Sequence, residues 1–270
     1  MPLGLAKSIL TTEVAAGGGG GNPFFSMAQL PNSGNGAALQ ASVGSGNFFG
    51  ENHNFSGTFW FRATSSEIDS PASRIFDAQD SQERDQITIQ ISTTNFQVIG
   101  VTNNAVKFAT WQPADFATNY LDDEWHHIAF HTNFDSPSFS LYVDGSNTGF
   151  TSTPGTGITG IAGLGTKTRV LTDENNTTAY HAANEFGGDL AYFWLDQATV
   201  NWSTNISNVY SSGYVDPGTT GTFGGSLSQP DVFWYVDSNP AVAYGGSRGS
   251  GSTLTQGSGS ISASATGGPA

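Results

Sequence analysis

Three of the chain's five histidines fall in one short stretch, DEWHHIAFH, as His126, His127 and His131. Beside Asp123 and Glu124, these are the side-chain types of a zinc site, which needs ligand nitrogens about 2.0–2.1 Å from one ion. Spacing decides whether they converge. The stretch leads into SFSLYV, where Phe139, Leu141 and Val143 alternate with Ser138, Ser140 and Tyr142. That is strand periodicity, with side chains on opposite faces and a rise of about 3.3 Å per residue. His126 and His127 then face apart. His127 and His131 share a face but stand roughly 13 Å from each other at that rise, so they cannot share an ion. The spacing predicts a β-hairpin instead. Its first strand covers 124–132, with Ile128 and Phe130 on one face and Trp125, His127, Ala129 and His131 on the other. TNFDSPS is the turn, and the second strand ends at VDG, where Asp-Gly marks a tight turn.

A second candidate chemistry is glycoside hydrolysis. The pattern E-x-D-x-x-E supplies two carboxyl groups, which a retaining mechanism holds about 5–5.5 Å apart. EIDSPA starts that pattern with Glu67 and Asp69, but Ala72 stands where the second Glu belongs. Pro71 also cannot donate to a central ladder. A polar loop between strands is expected here. The run Gly17 to Gly21 lacks the preceding strand and following Lys-Ser/Thr of a phosphate loop. Ser and Asp are too abundant to single out a nucleophilic triad.

Two oxygen-rich stretches, DAQDSQERD (77–85) and DENNT (173–177), offer loop carboxylates for calcium. Asp77, Asp80 and Asp173 are the candidate ligands, although neither stretch is an EF-hand loop. Sugar binding needs an exposed aromatic ring with polar neighbours. Trp111, Tyr180, His181 and Trp202 stand in expected loops and are the candidates. Five N-x-S/T sequons, at Asn54, Asn175, Asn176, Asn201 and Asn205, are within chance for this composition.

The elements around these residues are strands. FSGTFWFRA (55–63), QITIQIS (86–92), NFQVIGV, VKFATW and FGGDLAYFWLD (186–196) carry strand signals, separated by Gly, Asn, Asp and Pro. STNISNVYSSG (203–213) is the one stretch that reads as a helix, with Ile206, Val209 and Tyr210 at helical spacing. DVFWYVD (231–237) reads as a buried strand, and LTQGSGSISASATGG as a linker or an edge strand. Three segments follow. Residues 1–25 form an arm with a glycine hinge, 26–215 a β-rich domain, and 216–270 an extension with one or two strands. Many short strands and few helices predict an all-β sandwich or jelly roll.

Composition narrows the partners. Of 270 residues, 22 are acidic and 8 basic, a formal net charge of −14. No basic cluster offsets that field, so nucleic acid and anionic membranes are disfavoured. Charged residues are only 11% and aromatics 12%, which leaves a Ser/Thr/Asn/Gly surface over a large core. The chain has no cysteine, which removes disulfides and thiolate chemistry. No run approaches the roughly 20 apolar residues of a membrane-spanning helix. The opening apolar run is broken by Lys7, Ser8, Thr11, Thr12 and Glu13, so a removable leader is not expected.

WHHIA followed by SLYVDG resembles the paired central strands of laminin-G-like, concanavalin A-like domains. FSGTFWFRA, SRIFDAQD and FGGDLAYFWLDQATVNWSTNISNVYSSG resemble other elements of that family, in the same order, over about 26–215. The resemblance implies a two-sheet antiparallel jelly-roll sandwich, and such domains often carry a loop calcium. The ends, MPLGLAKSILTT with its glycine hinge and DVFWYVDSNPAVAYGGSRGSGSTLTQGSGSI, resemble those of laminin-G-like structural proteins of tailed bacteriophages. That implies a non-enzymatic virion protein: a capsid decoration, fibre or tail component. Leu3, Leu5, Ile9, Leu10, Phe24 and Phe25 would anchor the arm on coat or tail subunits, at roughly 1.5–3 kcal/mol per large buried side chain. The fibre analogy implies a homo-oligomer, a trimer being the first expectation. The alternative expectation is a lectin or adhesin for surface glycans, with a glycoside hydrolase behind it.

Overall fold

The computed structural model describes residues 38–41, 53–68, 70–79, 86–102, 105–154, 167–170, 186–235, 254–258 and 269. The strands in chain order are β1 (Ala38–Ala41), β2 (Asn54–Arg62), β3 (Ser73–Gln79), β4 (Gln86–Ile91), β5 (Phe96–Thr102) and β6 (Ala105–Trp111). Then come β7 (His126–Asn133), β8 (Ser138–Val143), β9 (Ser146–Asn147), β10 (Lys167–Val170), β11 (Asp189–Asp196), β12 (Val232–Tyr235) and β13 (Leu254–Ser258). Two short α-helices join them, α1 (Phe116–Tyr120) and α2 (Trp202–Val209). Among the described residues the strands form two sheets, ordered β13-β1-β10-β3-β4-β5-β6 and β12-β11-β2-β7-β8-β9. Every pairing is antiparallel. This is the two-sheet jelly-roll sandwich expected from the strand pattern.

The inner faces follow the alternation in the sequence. Ile87, Ile89 and Ile91 of β4 and Phe96 and Val98 of β5 come from one sheet. Phe55, Phe59 and Phe61 of β2, Ile128 and Phe130 of β7, and Leu141 and Val143 of β8 come from the other. Aromatic rings join the sheets: Phe59 and Phe96 lie 6.1 Å apart, and Phe76 stacks on Phe193 at 5.3 Å. Such offset and edge contacts add to the burial of apolar area.

The six-stranded sheet also has a covered outer face. Trp60, Ala129, Tyr142, Tyr192, Trp194 and Phe233 point away from the sandwich and are roofed by Trp202 and Val209 of α2, together with Phe223 and Leu227. This second layer explains why β2 and β11 carry bulky apolar residues on both faces, as strands do when covered on both sides. A register irregularity in β11 between Leu190 and Phe193 turns both Ala191 and Tyr192 outward.

The expected helix is α2, one residue earlier in its start and ending at Val209. Asn201 caps it, its side chain accepting from the Ser203 N–H. The five-residue α1, with Asp115 at its N-cap, lies outside the strand and helix patterns of the sequence. The 216–270 segment supplies β12 to one sheet, beside β11, and β13 to the other, beside β1. The arm residues Leu3, Leu5, Ile9, Leu10, Phe24 and Phe25 lie outside the described residues. No helix among the described residues is long and apolar enough to cross a membrane.

Gly57 stands on the inner face of β2, where a Cβ would lie 2.4 Å from the Phe130 ring and 3.2 Å from Leu195. Overpacking of this kind costs about 1–3 kcal/mol. Gly57→Ala is therefore expected to lower unfolding stability by that amount in chemical denaturation. An unchanged midpoint would show that the Phe130 ring is not locked in place.

Candidate functional site

Asp144 and Gly145 close the β8–β9 hairpin with left-handed backbone at both positions, φ 48° and 74°, as the primed turns of two-residue hairpins require. The turn aims the Asp144 carboxylate back at β7. Its Oδ1 accepts the His127 backbone N–H at 2.8 Å, and its Oδ2 meets His126 Nδ1 at 2.9 Å. His126 Nε2 lies 3.1 Å from Asp122 Oδ1. The imidazole is thus held between two carboxylates, with Tyr120 edge-on at 5.1 Å. Burial alone would lower its pKa, but the hydrogen bonds and charges of Asp144 and Asp122 outweigh that and raise it.

His127, one residue on, points to the opposite face. It is fully buried under the second layer, 5.1 Å from the Trp60 ring and 5.4 Å from Tyr210. Thr58 Oγ1 lies 2.8 Å from its Nε2, while its Nδ1 is buried without a hydrogen-bond partner. Burial pulls its pKa down to about 3, so it is neutral at any ordinary pH. His131, further along the same face, sits 3.2 Å from Ser56 Oγ. Ser56 donates to the Ala198 carbonyl at 2.8 Å and accepts from the Val200 N–H at 2.9 Å. These histidines tie the sheet to its roof. Among the described residues no group of three or more His, Asp or Glu could hold a metal.

A cleft of about 720 Å³ opens where β2 ends and β7 begins. Trp60 forms its floor, stacked on Tyr210 at 5.6 Å. Tyr210 leans against the hairpin turn, so a Cβ on Gly145 would lie 2.5 Å from its ring. Trp125 and Tyr210 are partly exposed. Arg62 lies 5.5 Å over the Trp125 ring, hydrogen-bonds Asp189 and pairs with Asp123 at 3.6 Å. Asp123, with backbone φ 68° and a side chain 66% exposed, forms the rim together with Glu124. The cleft therefore joins aromatic surfaces to polar groups on its rim, the ingredients of a small-ligand site.

No protein-family model matches the sequence, and no curated protein matches it. The fold does have structural relatives. A candidate carbohydrate-binding protein from Bacteroides ovatus superposes with a TM-score of 0.50 at 11% identity, over 89% of this chain and 58% of that one. The fold is a laminin-G/concanavalin A-like jelly roll. A heptameric SAP-like pentraxin from Limulus polyphemus gives a TM-score of 0.49 at 13% identity, over 71% of this chain and 84% of the pentraxin. Domains LG4-5 of the mouse laminin alpha1 chain give 0.44 at 13%, over 74% and 48%. This chain thus spans less than two thirds of the Bacteroides and laminin structures.

The aromatic candidates read from the sequence fall elsewhere. Trp111 closes β6 on its inner face, 5% exposed, edge-on to Tyr120 at 4.7 Å. Trp202 opens α2, 1% exposed, and donates its indole N–H to the Phe130 carbonyl at 2.6 Å. Both rings serve the core and offer no face to a ligand, because the loops assigned to them are a strand end and a roofing helix. Tyr180 and His181 lie outside the described residues, as do Asp80 and Asp173. Asp77 is not on a turn. It is fully buried on β3, and its Oδ1 accepts from Gln86 at 2.6 Å and Thr88 at 2.8 Å. Glu67 lies in a 3₁₀ turn over Ser65–Glu67, its carboxylate taken up by the Thr64 N–H and hydroxyl at 2.7 and 2.9 Å. A different carboxyl pair forms at the end of β11. There burial and a hydrogen bond to Asp231 push Asp196 up to about 6.

The two adjacent histidines should titrate in opposite directions. His126 is expected to titrate above the ordinary 6.5 and His127 to stay neutral down to about 3. The stability from the His126 clamp is complete below 6.5 and is lost as pH rises through its raised value. That from keeping His127 neutral is present above 6.5 and is lost as pH falls toward 3. Ring-proton NMR resolves both, and Asp144→Asn should lower the His126 midpoint. A wild-type midpoint at or below 6.5 would remove the clamp.

Proposed function

We propose that the chain is a lectin-like binding module and that the cleft bounded by Trp125 and Tyr210 is its saccharide site. One observation carries this reading. Two partly exposed aromatic rings flank a cleft whose rim presents Asp123 and Glu124, with Arg62 behind them. A pyranose has an apolar C–H face and a polar hydroxyl edge. The first suits an aromatic ring, and the second suits carboxylate acceptors and a guanidinium donor held at fixed angles. The likeness to a candidate carbohydrate-binding protein supports the reading at the level of fold. An expectation of enzymatic hydrolysis finds less support, since Glu67 is committed to its own turn.

Tryptophan fluorescence against a panel of oligosaccharides tests the proposal. At least one neutral or charged sugar is expected to change the emission, and Trp125→Ala should weaken its binding by about tenfold, or roughly 1.4 kcal/mol. A panel with no response, or one unaffected by Trp125→Ala, would overturn it.

The virion setting belongs to the same proposal. A saccharide-binding sandwich carried on a particle would serve attachment, with the 1–25 arm as its anchor. Mass spectrometry of purified particles is expected to find the protein in fixed ratio to the coat subunit. Its absence from particles would remove the virion setting and leave the module intact.

A further inference from the structure

We infer that the cleft selects saccharides by charge, accepting amine-bearing sugars ahead of neutral ones and excluding acidic ones. This rests on the saccharide reading above and specifies its substrate class. The cleft holds one guanidinium and one imidazole able to carry positive charge, and both are already committed. Arg62 hydrogen-bonds Asp189, pairs with Asp123 at 3.6 Å and lies over Trp125. His126 is held between Asp122 at 3.1 Å and Asp144 at 2.9 Å. Five carboxylates, of Asp122, Asp123, Glu124, Asp144 and Asp189, thus surround one guanidinium and one imidazole.

The surplus negative charge sits at the accessible rim. Glu124 is exposed, and its carboxylate makes no hydrogen bond or ion pair among the described residues. Asp123 is two-thirds exposed, and its contact with Arg62 is long for an ion pair. Low-dielectric walls concentrate such a field, and here the walls are Trp60, Trp125 and Tyr210. A uronate or sulfate entering the cleft would meet Glu124 and Asp123 with no uncommitted cation among the described lining residues to answer it. A sugar ammonium would find two carboxylate acceptors and aromatic faces, a pairing that adds cation–π attraction to the ion pair. The carboxylates do not converge on a metal position, so the chemistry favours a ligand that spreads its cation and its ring over the cleft.

Isothermal titration in mildly acidic buffer separates the cases with three trisaccharides. These are fully deacetylated chitotriose, its N-acetylated form and trigalacturonate, and trilysine serves as a cation without a sugar. The amine form is expected to bind at least about tenfold tighter than the N-acetylated form at low salt, with the gap closing as salt rises. Glu124→Gln, a change at an exposed side chain, should narrow the gap without altering the fold. Trigalacturonate should not bind, and trilysine should bind far more weakly than the amine sugar. Equal affinity for amine and N-acetyl forms, binding of the uronate, or trilysine matching the amine sugar would each overturn the inference. Failure of all three trisaccharides also overturns it. If other sugars still bind in a Trp125-dependent way, the saccharide site itself survives. If no sugar binds at all, both readings fall together.

Discussion

The Asp144 carboxylate is the contact on which the cleft end of the molecule depends. One oxygen fixes the His127 backbone and the other the His126 ring. The tight turn that aims it also sets Gly145 against Tyr210. Strand register, histidine charge and the position of the cleft wall therefore share one side chain. A conformational cost is built in, since Asp144 is a non-glycine residue at positive φ. Its two hydrogen-bonded oxygens offset that cost, one of them facing a charge-bearing ring.

The dipeptide His126-His127 shows how a strand divides chemistry between its faces. Two identical side chains, adjacent in sequence, meet opposite surroundings. One ring lies between carboxylates near solvent and the other against Trp60 in a dry layer. Desolvation acts on both, and only the first has charges strong enough to reverse it. The roof of α2 makes this division possible, because without it the outer face of the sheet would be wet and His127 an ordinary surface residue.

The sandwich was legible from alternation. Ile87, Ile89 and Ile91, the Phe139-Leu141-Val143 run and the Asp-Gly turn all lie where period two and turn chemistry put them. Strand rise alone likewise sets His127 and His131 apart along one face. The cleft was not legible, because it joins β2, the 121–125 loop, the hairpin turn and the end of α2, and their adjacency comes from strand order rather than from local pattern. A usable signal did exist. Trp60 on the polar side of FSGTFWFRA showed that this face is covered. Trp111 and Trp202 misled because a tryptophan beside turn residues looks exposed until tertiary contacts bury it. Asp77 misled in the same way, its acidic neighbourhood reading as a loop although β3 continues through it.

The strand order also governs how the chain can be made. In the seven-stranded sheet, Leu39 of β1 sits opposite Val170 on one side and Gln256 on the other. In the six-stranded sheet β2 lies between β7 and β11, and β12 closes the edge. A ribosome delivers β1 and β2 long before their partners exist, whereas the β7–β8 hairpin and the β4–β5–β6 meander can pair as soon as they emerge. Vectorial synthesis thus leaves early edges open while late strands are awaited. Non-local topology of this kind folds slowly and exposes unpaired edges on the way. Among the described strands the six-stranded sheet waits for β12 and the seven-stranded sheet for β13, so until then a nascent copy depends on whatever shields those edges.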